Sequence, residues 1–170
     1  NMKEMKWGQI IKRNKELGLA MSGPTKKVAL LSNTAVFQLK EILELELREA
    51  NVAVEIDLGD YDSILQDSER FVKYDAVIIF WELSNLLDGL NYRYNLLSNE
   101  KLEALINKVE SEVRLTLNNL KETPLVLFNR FTSMPYDFEI LNDSKLQIVA
   151  NRLNSALKTM VSHHQLVVDI

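Results

Sequence analysis

The chain has 170 residues, of which 46% are hydrophobic and 26% charged, and its formal net charge is −4. This size and composition are typical of one globular domain, and the acidic balance argues against nucleic acid and anionic membranes as partners. The chain contains no cysteine, which excludes disulfides, thiolate metal sites and cysteine nucleophiles. Because the sequence also has neither an apolar run long enough to span a membrane nor a signal-peptide core, it predicts a cytoplasmic protein.

The first predicted elements are a helix, a strand and a second helix. A lysine-rich helix over residues 2–18 is expected to end at Gly18, and a loop follows it to residue 27. Residues 28–31 form an unbroken apolar run, which is typical of a strand buried on both faces of a parallel sheet. From residue 34 to residue 50 apolar residues recur at helical spacing, and Ser32 or Asn33 is placed to cap this helix.

Strands and helices alternate along the rest of the chain. Further strands are predicted at residues 52–56, 74–81, 124–128 and 166–170, and further helices at 63–72, 100–121 and 144–162. This alternation predicts right-handed βαβ crossovers and a three-layer α/β/α sandwich around a five-stranded parallel sheet. We expect the flavodoxin-like strand order 2-1-3-4-5 in one domain over residues 1–170, with an N-terminal helix and loop (1–24) before the βα core (25–170).

A ligand site in such a sheet lies beyond the carboxyl ends of the strands, near the point where the strand order reverses. Four predicted loops meet at that edge of the sheet. Their polar and glycine residues are the candidates for lining a pocket: Ser32, Asn33, Gly59, Asp60, Glu82, Asn85, Asn129 and Arg130.

The position of Ser32, directly after the first strand, resembles that of the nucleophile in SGNH-type esterases. Such enzymes need a serine, donors that hold the oxyanion, and a histidine oriented by an aspartate. Gly59 keeps the glycine that the resemblance requires after the second strand. The two residues before the serine are leucines instead of the expected glycine and aspartate, and Asn85 is displaced from the expected position after the third strand.

The general base is the main departure from the esterase pattern. The only histidines, His163 and His164, precede the last predicted strand and are therefore expected at the opposite edge of the sheet. Serine without a base is a poor nucleophile at neutral pH. The sequence thus predicts no catalytic residue, with Ser32 as the relic of a nucleophile, and a serine esterase or acyl hydrolase remains the alternative.

Acidic residues near the strand ends offer a second kind of chemistry. Asp60 and Asp62 resemble the aspartate-x-aspartate loop of haloacid-dehalogenase (HAD) phosphatases, but that loop directly follows its strand and Ile64 occupies the position of its threonine. A wider set of carboxylates could bind Mg²⁺, and could equally serve helix N-termini without a ligand: Asp57, Asp60, Asp62, Glu82 and Asp88. We therefore predict no metal site, and no phosphate-binding glycine motif is present. Arg130 is a candidate contact for an anion.

Four segments taken together resemble the N-terminal domain of FkbH-like proteins of the HAD superfamily. They are "MKWGQIIKRNKEL", "KVALLSNTAVFQLKEILELEL", "GDYDSILQDSERFVKYDAVIIFWE" and "IVANRLNSALKTMVSHHQLVVDI". In that family an SGNH-like domain with degraded catalytic blocks precedes a phosphatase-fold catalytic domain. The resemblance implies a parent protein that transfers a glyceryl group to an acyl carrier protein, or that serves polyketide or surface-polysaccharide assembly.

The resemblance also implies which cofactors and partners to expect. This chain would be a non-catalytic accessory domain excised from a longer HAD-family protein. It would bind no cofactor itself, because Mg²⁺ belongs to the HAD domain. Its expected partners are that C-terminal catalytic domain and an acyl carrier protein.

Overall fold

A computed structural model describes residues 4–86, 97–132 and 145–169. Its elements in chain order are α1 (Trp7–Ala20), β1 (Lys26–Ser32), α2 (Phe37–Glu49), β2 (Val54–Leu58), α3 (Ile64–Arg70), β3 (Ala76–Phe80), α4 (Leu83–Leu86), α5 (Asn99–Asn119), β4 (Val126–Asn129), α6 (Lys145–Met160) and β5 (Gln165–Val168). The five strands form one sheet in the order β2-β1-β3-β4-β5, and every pair of neighbours is parallel. The predicted α/β fold and strand order are therefore confirmed.

The two faces of the sheet carry different helices. Helices α3, α5 and α6 pack on one face and enclose the larger apolar cluster, which includes Val77, Phe128 and Val113. Helix α2 packs on the other face over a smaller cluster built on β1 and β2, and α1 packs against α2. This division follows from the right-handed crossover rule, because the chain moves toward one sheet edge after β1 and toward the other edge from β2 onward.

Helix α1 is held on α2 by a polar network rather than by a wide apolar stripe. The Asn14 amide nitrogen donates to Glu44 Oε2 at 3.0 Å, and Arg48 Nη1 donates to Asn14 Oδ1 at 2.6 Å. The same two α2 residues seal the exposed edge of β2: Glu44 Oε1 accepts from Ile56 N, and Arg48 Nη2 donates to Val54 O, each at 2.8 Å. The main-chain N–H and C=O groups of an edge strand have no neighbouring strand to bind on one side. Here side chains of α2 supply those hydrogen bonds.

Several predicted helix boundaries are wrong, including the start of the first helix, which is Trp7 rather than residue 2, and two of the shifts have identifiable reasons. Helix α1 continues two residues past Gly18, because this glycine gives room for Arg48 rather than ending the helix: a Cβ at Gly18 would lie 3.1 Å from the Arg48 guanidinium. Helix α2 begins at Phe37 rather than at residue 34, because a turn at the end of β1 delays it. Within the described ranges no helix is long and apolar enough to cross a membrane.

Candidate functional site

The side chain of Ser32, the last residue of β1, closes a tight turn. It is buried, and its Oγ accepts a hydrogen bond from Thr34 N at 3.0 Å and lies 3.3 Å from Thr34 Oγ1. Residue Val36 occupies the cap position of α2, with no side-chain cap. The prediction that Ser32 or Asn33 caps this helix is therefore wrong, because the Ser32 hydroxyl binds Thr34 N before the helix begins and the Asn33 amide binds Glu82 instead.

Asn33 joins the loop after β1 to the loop after β3. Its fully buried amide binds both main-chain groups of Glu82: Oδ1 accepts from Glu82 N at 2.7 Å, and Nδ2 donates to Glu82 O at 2.8 Å. Asn85 Nδ2 donates to Asn33 O at 3.0 Å, and Asn85 N donates to Glu82 Oε2 at 2.8 Å. The amide of Asn33 thus extends the β1–β3 pairing beyond the point where the strands themselves end.

Two further asparagines repeat this arrangement along the sheet. Asn129, the last residue of β4, accepts from Trp81 N at 2.6 Å and donates to Trp81 O at 3.0 Å. Asn154 on α6 accepts from Phe131 N and donates to Phe131 O, each at 2.8 Å. We call these three contacts of Asn33, Asn129 and Asn154 the amide bridges. Buried main-chain groups need partners, and the bridges supply them where the sheet stops.

Asn154 is the residue of this site that the sequence pattern did not reveal. It is buried in the middle of a helix, one residue after Leu153 and three before Leu157, at a position where an apolar residue is expected. An asparagine is unfavourable inside a helix unless its amide has a specific partner. That mismatch between residue type and position is the signal that could have identified it.

The groups that would hold an oxyanion in an esterase are already bonded to the protein. Gly59 N donates to Leu30 O at 2.9 Å, and Asp60 N donates to Asp67 Oδ2 at 2.6 Å. Only glycine fits at position 59, because an added Cβ would collide with Asp67 Oδ2 and with the side chain of Leu31. Burial raises the pKa of the Asp67 carboxyl, against the opposing effects of the Asp60 N–H and the Arg70 guanidinium.

Both histidines lie at the amino end of the sheet, as the sequence predicted. His164 O accepts from Val126 N, the first residue of β4, at 2.9 Å, and the imidazoles of His163 and His164 pack against each other with centroids 3.6 Å apart. Ser32 is the last residue of its strand, at the carboxyl end. Since the strands are parallel, the length of the sheet separates both possible bases from this hydroxyl.

The acidic candidates are dispersed among separate partners. Asp57 accepts from the Tyr74 hydroxyl at 2.6 Å, which raises the pKa of Tyr74, while Asp60 pairs with Arg70 at 3.2 Å. Asp62 has a positive φ of 53° and donates its N–H to Ser32 O. Asp88 lies outside the described residues. In the described part of the chain no three potential ligands are grouped to hold a metal.

Arg130 lies at the carboxyl end of β4, as predicted, and is paired with an acid. Its Nη1 is 3.2 Å from Asp169 Oδ1, and more than half of each side chain is exposed. The two residues line an open cleft of about 460 Å³ between α6 and β5, which Lys158 and Asn151 also line. Contact of Arg130 with an anion stays a prediction.

The fold and the site define a five-stranded parallel α/β domain in which polar side chains at the strand ends bind the protein's own main chain. No protein-family model and no curated protein matches the chain. Its fold is similar to the solved structure of the N-terminal part of the protein BF1531 from Bacteroides fragilis, described as containing a phosphatase domain complexed with Mg. The TM-score is 0.73 and the sequence identity is 18%.

The matched region is nearly all of this chain but only part of the Bacteroides chain. The similarity covers 98% of this chain and 45% of the Bacteroides chain, so this chain spans less than half the length of that protein part. At this level of identity the likeness shows the α/β fold.

Proposed function

We propose that this chain is a non-catalytic accessory domain of an FkbH-like protein of the HAD superfamily. The observation that carries the proposal is that the strand-end groups are engaged in internal hydrogen bonds. The Ser32 hydroxyl accepts from Thr34 N, the Gly59 N–H donates to Leu30 O, and the Asn33 amide binds Glu82. A hydrolase keeps such groups free for the substrate and its transition state.

The likeness to the Bacteroides structure supports this proposal at the level of architecture. The matched chain is an N-terminal part described as containing a phosphatase domain, and this fold accounts for 45% of its length. We propose the same arrangement here, with a HAD catalytic domain as the partner. The Mg²⁺ and the chemistry would belong to that domain.

The role of the parent protein follows from the sequence resemblance. We propose that the parent transfers a glyceryl group to an acyl carrier protein or serves the assembly of polyketides or surface polysaccharides. The accessory domain would then position the catalytic domain or the carrier protein. The polar edge of the sheet needs no reactivity of its own for that task.

The coding sequence downstream of Ile170 tests the proposal directly. We expect it to continue into an apolar strand followed by an aspartate-x-aspartate-x-threonine loop. A stop codon at that point, with no neighbouring gene for a HAD-type protein, would contradict the proposed partner.

A further inference from the structure

The two faces of the sheet are covered to different extents. One row of paired residues crosses the sheet from β1 to β5 on the α2 side: Leu30, Ile78, Leu127 and Leu166. Leu30 lies under α2 and is 1% exposed, Ile78 and Leu127 are half-buried, and Leu166 is 50% exposed. The exposure of this row of side chains therefore increases from β1 to β5. We call the exposed part of this surface, formed by Ile78, Phe80, Leu127, Leu166 and Val168, the open face.

The topology explains why the described helices leave this face open. The connection from β1 to β2 runs toward one edge of the sheet and places α2 on this face. The connections that end at β3, β4 and β5 all run toward the other edge, and the right-handed rule places α3, α5 and α6 on the opposite face. Within the described residues, no helix therefore lies over β4 and β5 on the α2 side.

The dimensions of the open face fit one α-helix. An apolar groove of about 270 Å³ runs between α2 and β5. It is lined by Leu39 and Leu43 of α2 and by four residues of the open face, Ile78, Phe80, Leu127 and Val168, and the exposed Leu166 lies on the same sheet face one pairing beyond Leu127. From β3 to β5 is two strand spacings, or about 10 Å, which is roughly the diameter of an α-helix. Parallel strands are normally buried on both faces, and in the described part of the chain this strip has no helix over it.

The area of the open face is too small for a stable dimer of this chain. Its residues are mostly part-buried already, so the apolar area still exposed is on the order of a few hundred Å², against about 800 Å² per partner in a standard interface. A single helix laid in the groove would contact the side of α2 and the exposed strands together, so it can use both surfaces. A charged residue of α2, Glu46, lies beside the groove without lining it. Glu46 is exposed, lies three residues beyond Leu43 on the same side of the helix, and has no ion pair within the described residues.

We infer that the open face binds one amphipathic α-helix of a partner, with its apolar stripe on β3, β4 and β5 and a basic residue toward Glu46. The inference gives the proposed accessory role a specific contact surface, but its evidence is the uneven cover of the sheet. Ester hydrolysis by the chain would overturn the accessory role and leave this inference standing. If no helix binds, this inference is overturned and the accessory role still stands.

A model helix provides the probe for this surface. A synthetic peptide of about 16 residues carries leucines at i, i+3, i+4 and i+7 spacing with lysines on both flanks. It is titrated into the ¹⁵N-labelled chain while backbone amide shifts are recorded. We expect saturable shifts concentrated at Ile78, Leu127, Leu166 and Val168. A peptide of the same composition with its leucines spread around the helix should shift these amides far less.

Three variants separate this surface from general hydrophobic binding. Leu166→Asp should raise the peptide's Kd at least tenfold, whereas Leu115→Asp, which changes a leucine of similar exposure (52%) on α5, should leave it unchanged. Glu46→Lys should weaken binding of the lysine-flanked peptide a few-fold and strengthen binding of a glutamate-flanked one. The wild-type shift map decides the matter even if Leu166→Asp fails to fold.

Three outcomes would overturn the inference. They are shifts that do not saturate or that lie elsewhere, an equal loss of binding in Leu115→Asp, and a dimer in sedimentation that Leu166→Asp dissolves. The last result would make a second copy of the chain the occupant of the open face.

Discussion

Replacing Asn129 by alanine should cost far more stability than a single hydrogen bond is worth. The substitution removes the amide that binds both Trp81 N and Trp81 O, at 2.6 and 3.0 Å, and Trp81 is only 4% exposed. Each main-chain group left buried without a partner costs about 1–3 kcal/mol, and we expect roughly 3 kcal/mol for the pair because the site lies just beyond the carboxyl ends of β3 and β4. In a domain of this size that corresponds to a fall of roughly 6–12 °C in the melting midpoint.

Ser32→Ala is the matched control for this prediction, measured by the same thermal and urea unfolding. It removes one acceptor, which binds Thr34 N at 3.0 Å, so the expected loss is about 1 kcal/mol. The reasoning would be refuted by an Asn129→Ala variant within about 1 kcal/mol of wild type. It would be refuted equally by two variants with the same loss. Either result would mean that the buried groups of Trp81 find other partners.

Three further variants test other parts of the structure. Gly59→Ala should cost about 2 kcal/mol, because its Cβ would displace Asp67, while Gly8→Ala, where a Cβ meets nothing within 4 Å, should cost nothing; equal effects in urea unfolding would contradict this account. Glu44→Ala should destabilise by roughly 3 kcal/mol and accelerate hydrogen exchange at Ile56 N, and unchanged exchange there would show that the edge of β2 is protected by another group. Hydrogen bonds from Lys27 N and Lys26 Nζ hold the pKa of Asp75 below its usual value, so the ionised form stabilises the folded state. That contribution is present at neutral pH and disappears as the pH falls through the lowered pKa, so the stability difference between wild type and Asp75→Asn should close below about pH 4. A difference that does not depend on pH would rule this mechanism out.

The strand order was predictable because general rules of chain topology determine it. Five apolar runs separated by helical patterns leave little choice once crossovers must be right-handed and strands parallel. The start of α2 was not predictable in the same way. The residues between Ser32 and Phe37 are compatible with either a helix cap or a turn. Which one forms depends on whether the Ser32 hydroxyl accepts a hydrogen bond from Thr34 N or from a later main-chain N–H.

The polar residues of the site were predictable in position but not in role. Asn33 and Asn129 were placed correctly at the strand ends, yet their partners lie 49 and 48 residues away along the chain. Spacing along the sequence carries no information about such contacts. Asn154 was missed because it lies on a helix rather than in a loop, and only the folded structure brings it to Phe131.

The central claim is that the carboxyl edge of this sheet is structural and not catalytic, and hydrolysis of p-nitrophenyl acetate tests it most directly. The rate should be measured for the wild type and for Ser32→Ala at equal concentrations, with folding of both confirmed by their melting curves. We predict identical rates, at the level of the uncatalysed background, because the length of the sheet separates both histidines from the Ser32 hydroxyl. Turnover well above background that the alanine variant abolishes would contradict the claim and make the chain a serine esterase.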